Sequence, residues 1–264
     1  MRPMSSLNSK GIAAIVGIGP KLGHSVARKF AYEGYTVAIL ARDLGKLIHI
    51  YLSYIYQYTY ISLADEIACE AKGQVFAIRI DCSDPKSVRE AFEGVLSLGP
   101  VEVLVYNACA TAARCPTNFM AITVDSFQYS LAVSAAGAFH CAQQVIPGMV
   151  ERGRGTIIFT GSSASLTGSA GYCELSSLSS TICCGKFALR GLAQCLMREF
   201  QASGIHVAHV VINGDIGASR SRGNANADLS MDPDAIAQSY WHIHNQDKSA
   251  WTHEIDLHAP NLGF

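Results

Sequence analysis

Residues 11 to 34 read GIAAIVGIGPKLGHSVARKFAYEG, an apolar run followed by Gly17, Gly19 and Gly23 and then by Leu22, Val26 and Phe30 on one helical face. Strand, tight turn and helix in that order constrain the fold more than any other feature. A strand that feeds a helix needs a partner strand beside it, and parallel neighbours require such a crossover. The unit then repeats. Gly34 stops the first helix, and YTVAILARD, QVFAIRID and VEVLVYNA supply three further strands that read as buried. Val88, Phe92, Val95 and Leu96 mark a helix before the fourth strand, and a long helix is expected from about Val124 to Glu151. GTIIFTGS is a fifth strand, Leu189, Leu192, Leu196 and Phe200 mark another amphipathic helix, and GIHVAHVVI is a sixth strand. DPDAIAQSYWHIH begins as a helix should, and AWTHEIDLH alternates as a closing strand would. The expected fold class is α/β, a single-domain Rossmann-like doubly wound parallel sheet over residues 1–264, with helices on both faces.

The 264 residues carry a formal net charge of −1 and no blocks of Lys or Arg, which argues against nucleic acid or an anionic membrane as partner. A small-molecule substrate fits better. Nine scattered cysteines, mostly in apolar segments, read as reduced thiols and point to a cytoplasmic protein. The N-terminus MRPMSSLNSK is too short and polar for a signal peptide. LIHIYLSYIYQYTYISLA, from Leu47 to Ala64, lacks charge but carries too many polar groups for a membrane span, and residues 48–61 read as an insertion.

VGIGPKLGHS lies between a buried strand and a helix, where backbone can approach a pyrophosphate closely and helix amides face its charge. The last gap is one residue longer than in G-x-G-x-x-G. At the end of the second strand, where an acidic residue would hold the ribose 2′-hydroxyl of NAD, Arg42 stands first in ARD. A cation there suits a 2′-phosphate, and Lys21 in the glycine turn can add a second, so NADP is preferred over NAD. Asp81 and Asn107 close the third and fourth strands, positions for adenine and loop-bracing contacts or for caps and turns.

With these pieces in place the chain resembles the short-chain dehydrogenase/reductase family over nearly its whole length. The resemblance is carried by the glycine turn, RIDCSD, YNAC for N-N-A-G, GAFHCAQQVIPGMVERGRGTIIFTGSS and KFALRGLAQCLMREF. It implies hydride transfer between a nicotinamide and a carbonyl or alcohol. A serine orients the oxygen, a tyrosine acts as acid/base, a lysine lowers the tyrosine pKa and holds the ribose, and often an asparagine braces a water relay. Ser162 matches the serine and Lys186 the lysine, which is also a cofactor contact. Where the asparagine belongs the chain has Ser134, and Lys21 replaces the second glycine of T-G-x-x-x-G-x-G.

The tyrosine is missing. Four residues before Lys186 stands Ile182, and thirteen after Ser162 stands Leu175. The two counts differ by seven, so Ser176 to Ile182 reads as an insert, with a loop favoured by its serines. Tyr172 is the nearby phenol, set against a packing role, and is the outside candidate for acid/base. Both inserts are uncharged and read as optional. An NADP-dependent oxidoreductase is thus expected, with a catalytically impaired NADP-binding protein, acting as sensor or partner subunit, as the alternative.

The remaining clusters are weaker. His242, His244, His253 and His258 lack acidic or thiol partners at metal-ligand spacing and read as surface histidines, so no metal is expected. His206 and His209 read as packing residues, and Cys183 and Cys184 as inert buried thiols, although Lys186 nearby makes a redox role conceivable. The family's usual pairing of the long helix with the helix after Lys186 implies a homodimer.

Overall fold

The structure, a computed structural model, describes residues 10–43, 63–71, 73–110, 119–168, 180–217 and 230–259. Its elements run β1 (Lys10–Val16), α1 (Leu22–Tyr32), β2 (Tyr35–Ala41), α2 (Leu63–Ala71), β3 (Val75–Arg79), α3 (Pro85–Leu98) and β4 (Val101–Tyr106). They continue with α4 (Val124–Leu131), α5 (Gly137–Arg152), β5 (Gly155–Thr160), α6 (Ser180–Phe200), β6 (Ile205–Asn213), α7 (Pro233–His244) and β7 (Glu254–His258). Seven strands form one sheet in the order β3-β2-β1-β4-β5-β6-β7, every pairing parallel. The order reverses direction beside β1, so a crevice opens between the C-terminal ends of β1 and β4.

Side chains alternate across the central strands into two cores. Ile12, Ala14 and Val16 of β1 face the layer that contains Phe92 of α3, Val145 of α5 and Leu189 of α6. Ala13 and Ile15 face the layer of Phe30 of α1, Ile67 of α2 and Tyr240 of α7. Burial on both faces explains why these strands are continuous apolar runs. The helices start where expected: the Asp84 carboxylate accepts from the Lys86 amide at 2.9 Å ahead of Pro85, and Asp232 caps α7 in the same way at 3.0 Å.

Four sequence expectations need correction. The third strand is an edge rather than a buried strand, with Phe76 38% exposed. Helix α2 was not foreseen, although Ala64 and Ile67 at helical spacing, both buried, carry its signal. The long helix is interrupted by a π-helical turn over Ala132–Ala136, between α4 and α5. Finally, Ser180, Thr181 and Ile182, the last three residues of the expected serine-rich loop, open helix α6. Tertiary packing overrides their composition, because Thr181 and Ile182 are buried and the Ser130 hydroxyl donates to the Thr181 carbonyl at 2.8 Å. The expected insertion at 48–61 lies outside the described residues. Among the described residues no helix is long and apolar enough to cross a membrane.

Candidate functional site

The crevice beside β1 is a cavity of about 520 Å³. Gly17 forms its floor with φ +84°, a left-handed conformation that disfavours other residues. A Cβ at Gly17 would lie 2.3 Å from the Ala108 amide nitrogen, because the chain leaving β4 presses against the turn. Asn107 fixes that contact: its side-chain amide donates to the Gly17 carbonyl at 2.8 Å, and its backbone amide donates to Val16 at 2.8 Å. Its role is therefore to brace the turn. A Cβ at Gly23 would meet Ile18 Cα at 2.8 Å, so this glycine lets helix and turn pack closely. In front of Gly19 a Cβ would meet nothing within 4 Å, leaving open space where an approaching group can reach backbone.

Two cations flank this space. The Lys21 ammonium donates to the Ile216 carbonyl beyond β6, closing one side of the crevice. The Arg42 guanidinium, on the crevice wall at the end of β2, donates to the Tyr129 hydroxyl of α4. Asp81 turns inward on its own loop. Its carboxylate accepts from the Ser83 amide at 2.9 Å and the Ser83 hydroxyl at 2.7 Å. Those bonds with Ser83 hold it below the usual carboxylate range, and the charges of Arg42 and Arg79 add to the effect. Asp81 is thus a loop brace rather than a free acceptor facing the cavity.

Ser162 and Lys186 lie outside the lining of this cavity. Ser162 follows β5 in extended conformation, and its carbonyl accepts from the Ser165 amide and hydroxyl at 2.8 and 2.6 Å. Lys186 is 5% exposed and donates to the Thr160 carbonyl at 2.6 Å, two residues before Ser162. Burial pushes its ammonium below the usual lysine range, and the neighbouring Cys109 acts in the opposite direction. Cys109 also lines the crevice, so it stands between the cavity and the surroundings of Lys186. Sequence reasoning passed over it, although the residue stands in YNAC where the related N-N-A-G has glycine.

Ile182 lies one helical turn before Lys186 and packs with Ala164, Cys183 and Cys109. Ser134, in the π-helical turn, is fully buried, and its hydroxyl has no hydrogen-bond partner among the described residues. It sits so near α6 that a Cβ at Gly185 would come within 2.8 Å of its own Cβ. Tyr172 lies outside the described residues.

Among the described residues no group of three or more His, Cys, Asp or Glu can hold a metal. Of the four histidines read as surface residues, His242 and His258 are exposed, whereas His244 and His253 are half-buried. His244 pairs with the Tyr35 hydroxyl at 2.6 Å and the Thr156 hydroxyl at 2.9 Å, and burial pushes its pKa down to about 4. His206 and His209 are buried, as packing residues should be, but each is also polar-bonded, to the Thr252 carbonyl and the Glu254 carboxylate. Of the adjacent thiols, Cys183 is buried but Cys184 is exposed.

Residues 11–228 match the short chain dehydrogenase family, and the chain belongs to it. It is 29% identical to the 3-dehydrosphinganine reductase of Danio rerio over 195 residues, 73% of this chain and 53% of that protein. The chain spans about half the length of such curated relatives. A short-chain dehydrogenase from Rhodopseudomonas palustris superposes with a TM-score of 0.74 at 28% identity, covering 94% of this chain and 97% of that one. A metagenomic short-chain oxidoreductase in complex with NADP shares the fold, with a TM-score of 0.75 at 21% identity and coverage of 94% and 97%. The chain is thus a member of an oxidoreductase family that binds NAD(P), on a seven-stranded Rossmann-like sheet.

Proposed function

We propose that the protein is an NADP-dependent oxidoreductase acting on a carbonyl or alcohol. The observation that carries this reading is the crevice itself: open space before Gly19, with Arg42 at the end of β2 and Lys21 on the turn. These residues fit a dinucleotide. Gly17, Gly19 and Gly23 would hold its pyrophosphate, Arg42 a 2′-phosphate, and Lys186 a ribose, while Asn107 and Asp81 keep the surrounding loops in place. When bound, the nicotinamide supplies or accepts hydride. Ser162 orients the substrate oxygen, and Lys186 places positive charge beside it.

The proton is the open part of the chemistry. The chain is an atypical family member, with Ile182 where the phenol is expected, and Tyr172 is the phenol nearest in sequence. Loss of a positioned general acid typically costs ~10²- to 10⁴-fold, so turnover would be slow but measurable. The second reading, a catalytically impaired NADP-binding protein, is favoured by the same Ile182, which is buried among Ala164, Cys183 and Cys109.

Titrating the protein with NADPH, followed through the nicotinamide emission, tests the first half of the proposal; no saturable binding would end it. A screen of ketones and alcohols, including 3-keto sphingoid bases on the precedent of the relatives, tests the second half. Turnover that falls in Lys186→Ala and Ser162→Ala supports the oxidoreductase, and Tyr172→Phe asks whether that phenol contributes. Binding without turnover on any substrate leaves the impaired reading.

The same proposal includes a single cytoplasmic domain, optional inserts at 48–61 and 176–182, and a homodimer through α5 and α6. Phe139 and Phe187, 42% and 43% exposed on those helices, support the dimer.

A further inference from the structure

Arg190, Glu254 and His209 come from three elements and form a linked row that the proposed chemistry does not use. Arg190, on α6 one turn after Lys186, donates through Nε and Nη2 to the two carboxylate oxygens of Glu254 on β7, each at 2.7 Å. Glu254 also accepts from Nδ1 of His209 on β6, at 3.1 Å. A carboxylate only accepts, so Nδ1 carries the proton and Nε2 the lone pair. The bonds from Arg190 hold Glu254 below the usual carboxylate range, and burial, outweighing the bond to Glu254, holds His209 below the usual imidazole range. At neutral pH the carboxylate is therefore ionised and the ring neutral.

The far side of that ring faces the end of β5. His209 is buried, and its Nε2 has no hydrogen-bond partner among the described residues. A Cβ at Gly161 would lie 2.2 Å from Nε2 and 2.5 Å from Cε1, so the imidazole fills the space that a side chain at 161 would take. The Ser165 hydroxyl lies 3.1 Å from the same point and donates to the Ser162 carbonyl at 2.6 Å. The Gly161 amide donates at 2.7 Å to the carbonyl of Val210, the residue after His209 in β6. Lys186 holds the preceding residue through its bond to the Thr160 carbonyl. The turn that carries Ser162 is thus seated between α6 and β6, and it rests on the imidazole.

We propose that His209 is a positioning residue for Ser162: oriented by the Arg190–Glu254 pair, its ring fixes the turn at Gly161 and so sets where the Ser162 hydroxyl stands.

Packing alone does not account for a histidine here. A buried ring nitrogen without a partner is costly, and an apolar ring would fill the same space without that cost. What the imidazole adds is its other nitrogen, which anchors the ring to Glu254 and keeps it from turning against Gly161. The ion pair with Arg190 fixes Glu254 in turn, so the helix that carries Lys186 and the turn that carries Ser162 are set against one another through side chains as well as through the sheet. The role in catalysis rests on the reading of Ser162 given above, whereas the hold on the turn does not.

The test compares His209→Asn, His209→Gln and Glu254→Gln with the parent, each as the full chain. Asparagine keeps a donor near the Nδ1 position, whereas glutamine carries its amide toward the Nε2 position. Glu254→Gln leaves the buried ring in place and removes the charge that orients it, at a partly exposed site that tolerates the change. The first readout needs no turnover. In amide ¹H–¹⁵N spectra of the free chain, the Gly161 and Ser162 resonances should move in His209→Gln and Glu254→Gln and return toward the parent in His209→Asn, while those of Gly17 and Gly23 stay in place. On any substrate that is turned over, His209→Gln should lower kcat about 10²-fold with KM and the NADPH Kd changed by no more than about twofold, and His209→Asn should recover most of the loss. An unmoved Ser162 resonance in folded Glu254→Gln overturns the proposal, as does a kcat no better in His209→Asn than in His209→Gln. If no substrate is turned over, the proposed function fails, and the spectra alone decide whether His209 holds the turn.

Discussion

At the β1–β4 end of the crevice, Gly17 carries a positive φ, Asn107 donates to its carbonyl at 2.8 Å, and Asp81 is held by Ser83. Around β5 and α6, the Ser134 hydroxyl is buried with no partner among the described residues and an isoleucine lies one turn before Lys186. The first region has backbone and side chains that agree with one another. The second sets Lys186 beside β5 with an apolar isoleucine one turn before it. Between the two regions stands Cys109, which lines the crevice and packs with Ile182; on the proposed reading, binding and chemistry can be lost separately.

The largest expected effect would come from placing a phenol one helical turn before Lys186. Ile182→Tyr should raise turnover on an accepted carbonyl by ~10²- to 10⁴-fold, read from kcat, with NADPH affinity unchanged. No gain in a folded variant would show that the catalytic region lacks more than one side chain. On the binding side, Gly17→Val combines a strained φ with a 2.3 Å approach to Ala108 and should cost about 3–5 kcal/mol in urea denaturation. Retained NADPH binding by that variant would undo the account of the turn.

A third measurement addresses a joint common to both regions. His244 of α7 ties Tyr35 of β2 to Thr156 of β5, and burial holds its pKa at about 4 against an ordinary 6.5. The folded chain keeps it neutral, so the unfolded chain takes up the proton first as pH falls. Its contribution is complete above pH 6.5 and is lost between there and pH 4, about 3 kcal/mol in all. Urea midpoints should fall over that window, and by less in His244→Gln. The smallest effect is on cofactor choice. Arg42→Ala should lower the preference for NADPH over NADH about tenfold, or about 1.4 kcal/mol, measured as the ratio of the two Kd values. An unchanged ratio would remove the case for NADP.

What could be read from the residues alone follows the same division. The glycine turn, all seven strands and the lysine helix are local patterns of apolar spacing and backbone freedom, and they are visible in one dimension. The edge position of β3 was not, because an apolar run does not say how many neighbours its strand has. Neither was the π-helical turn at Ala132–Ala136, which depends on how α4 meets α6. His244 looked like a surface residue since its partners, Tyr35 and Thr156, are distant in sequence. Cys82 and Gly137 are likewise distant in sequence, and α5 settles on the loop after β3 only because Gly137 has no side chain.

The two tryptophans sit on one side of the sheet. Trp251 is stacked on His206 at 4.8 Å with the rings parallel, and Trp241 lies edge-on to Phe30 and Tyr35. An imidazole stacked on an indole quenches more strongly once it is protonated, so the protein's intrinsic emission will report the α1–α7 layer and its titration. Loosening confined to α5 and α6 would leave that signal unchanged, and a single optical melting curve would then describe only half of the molecule.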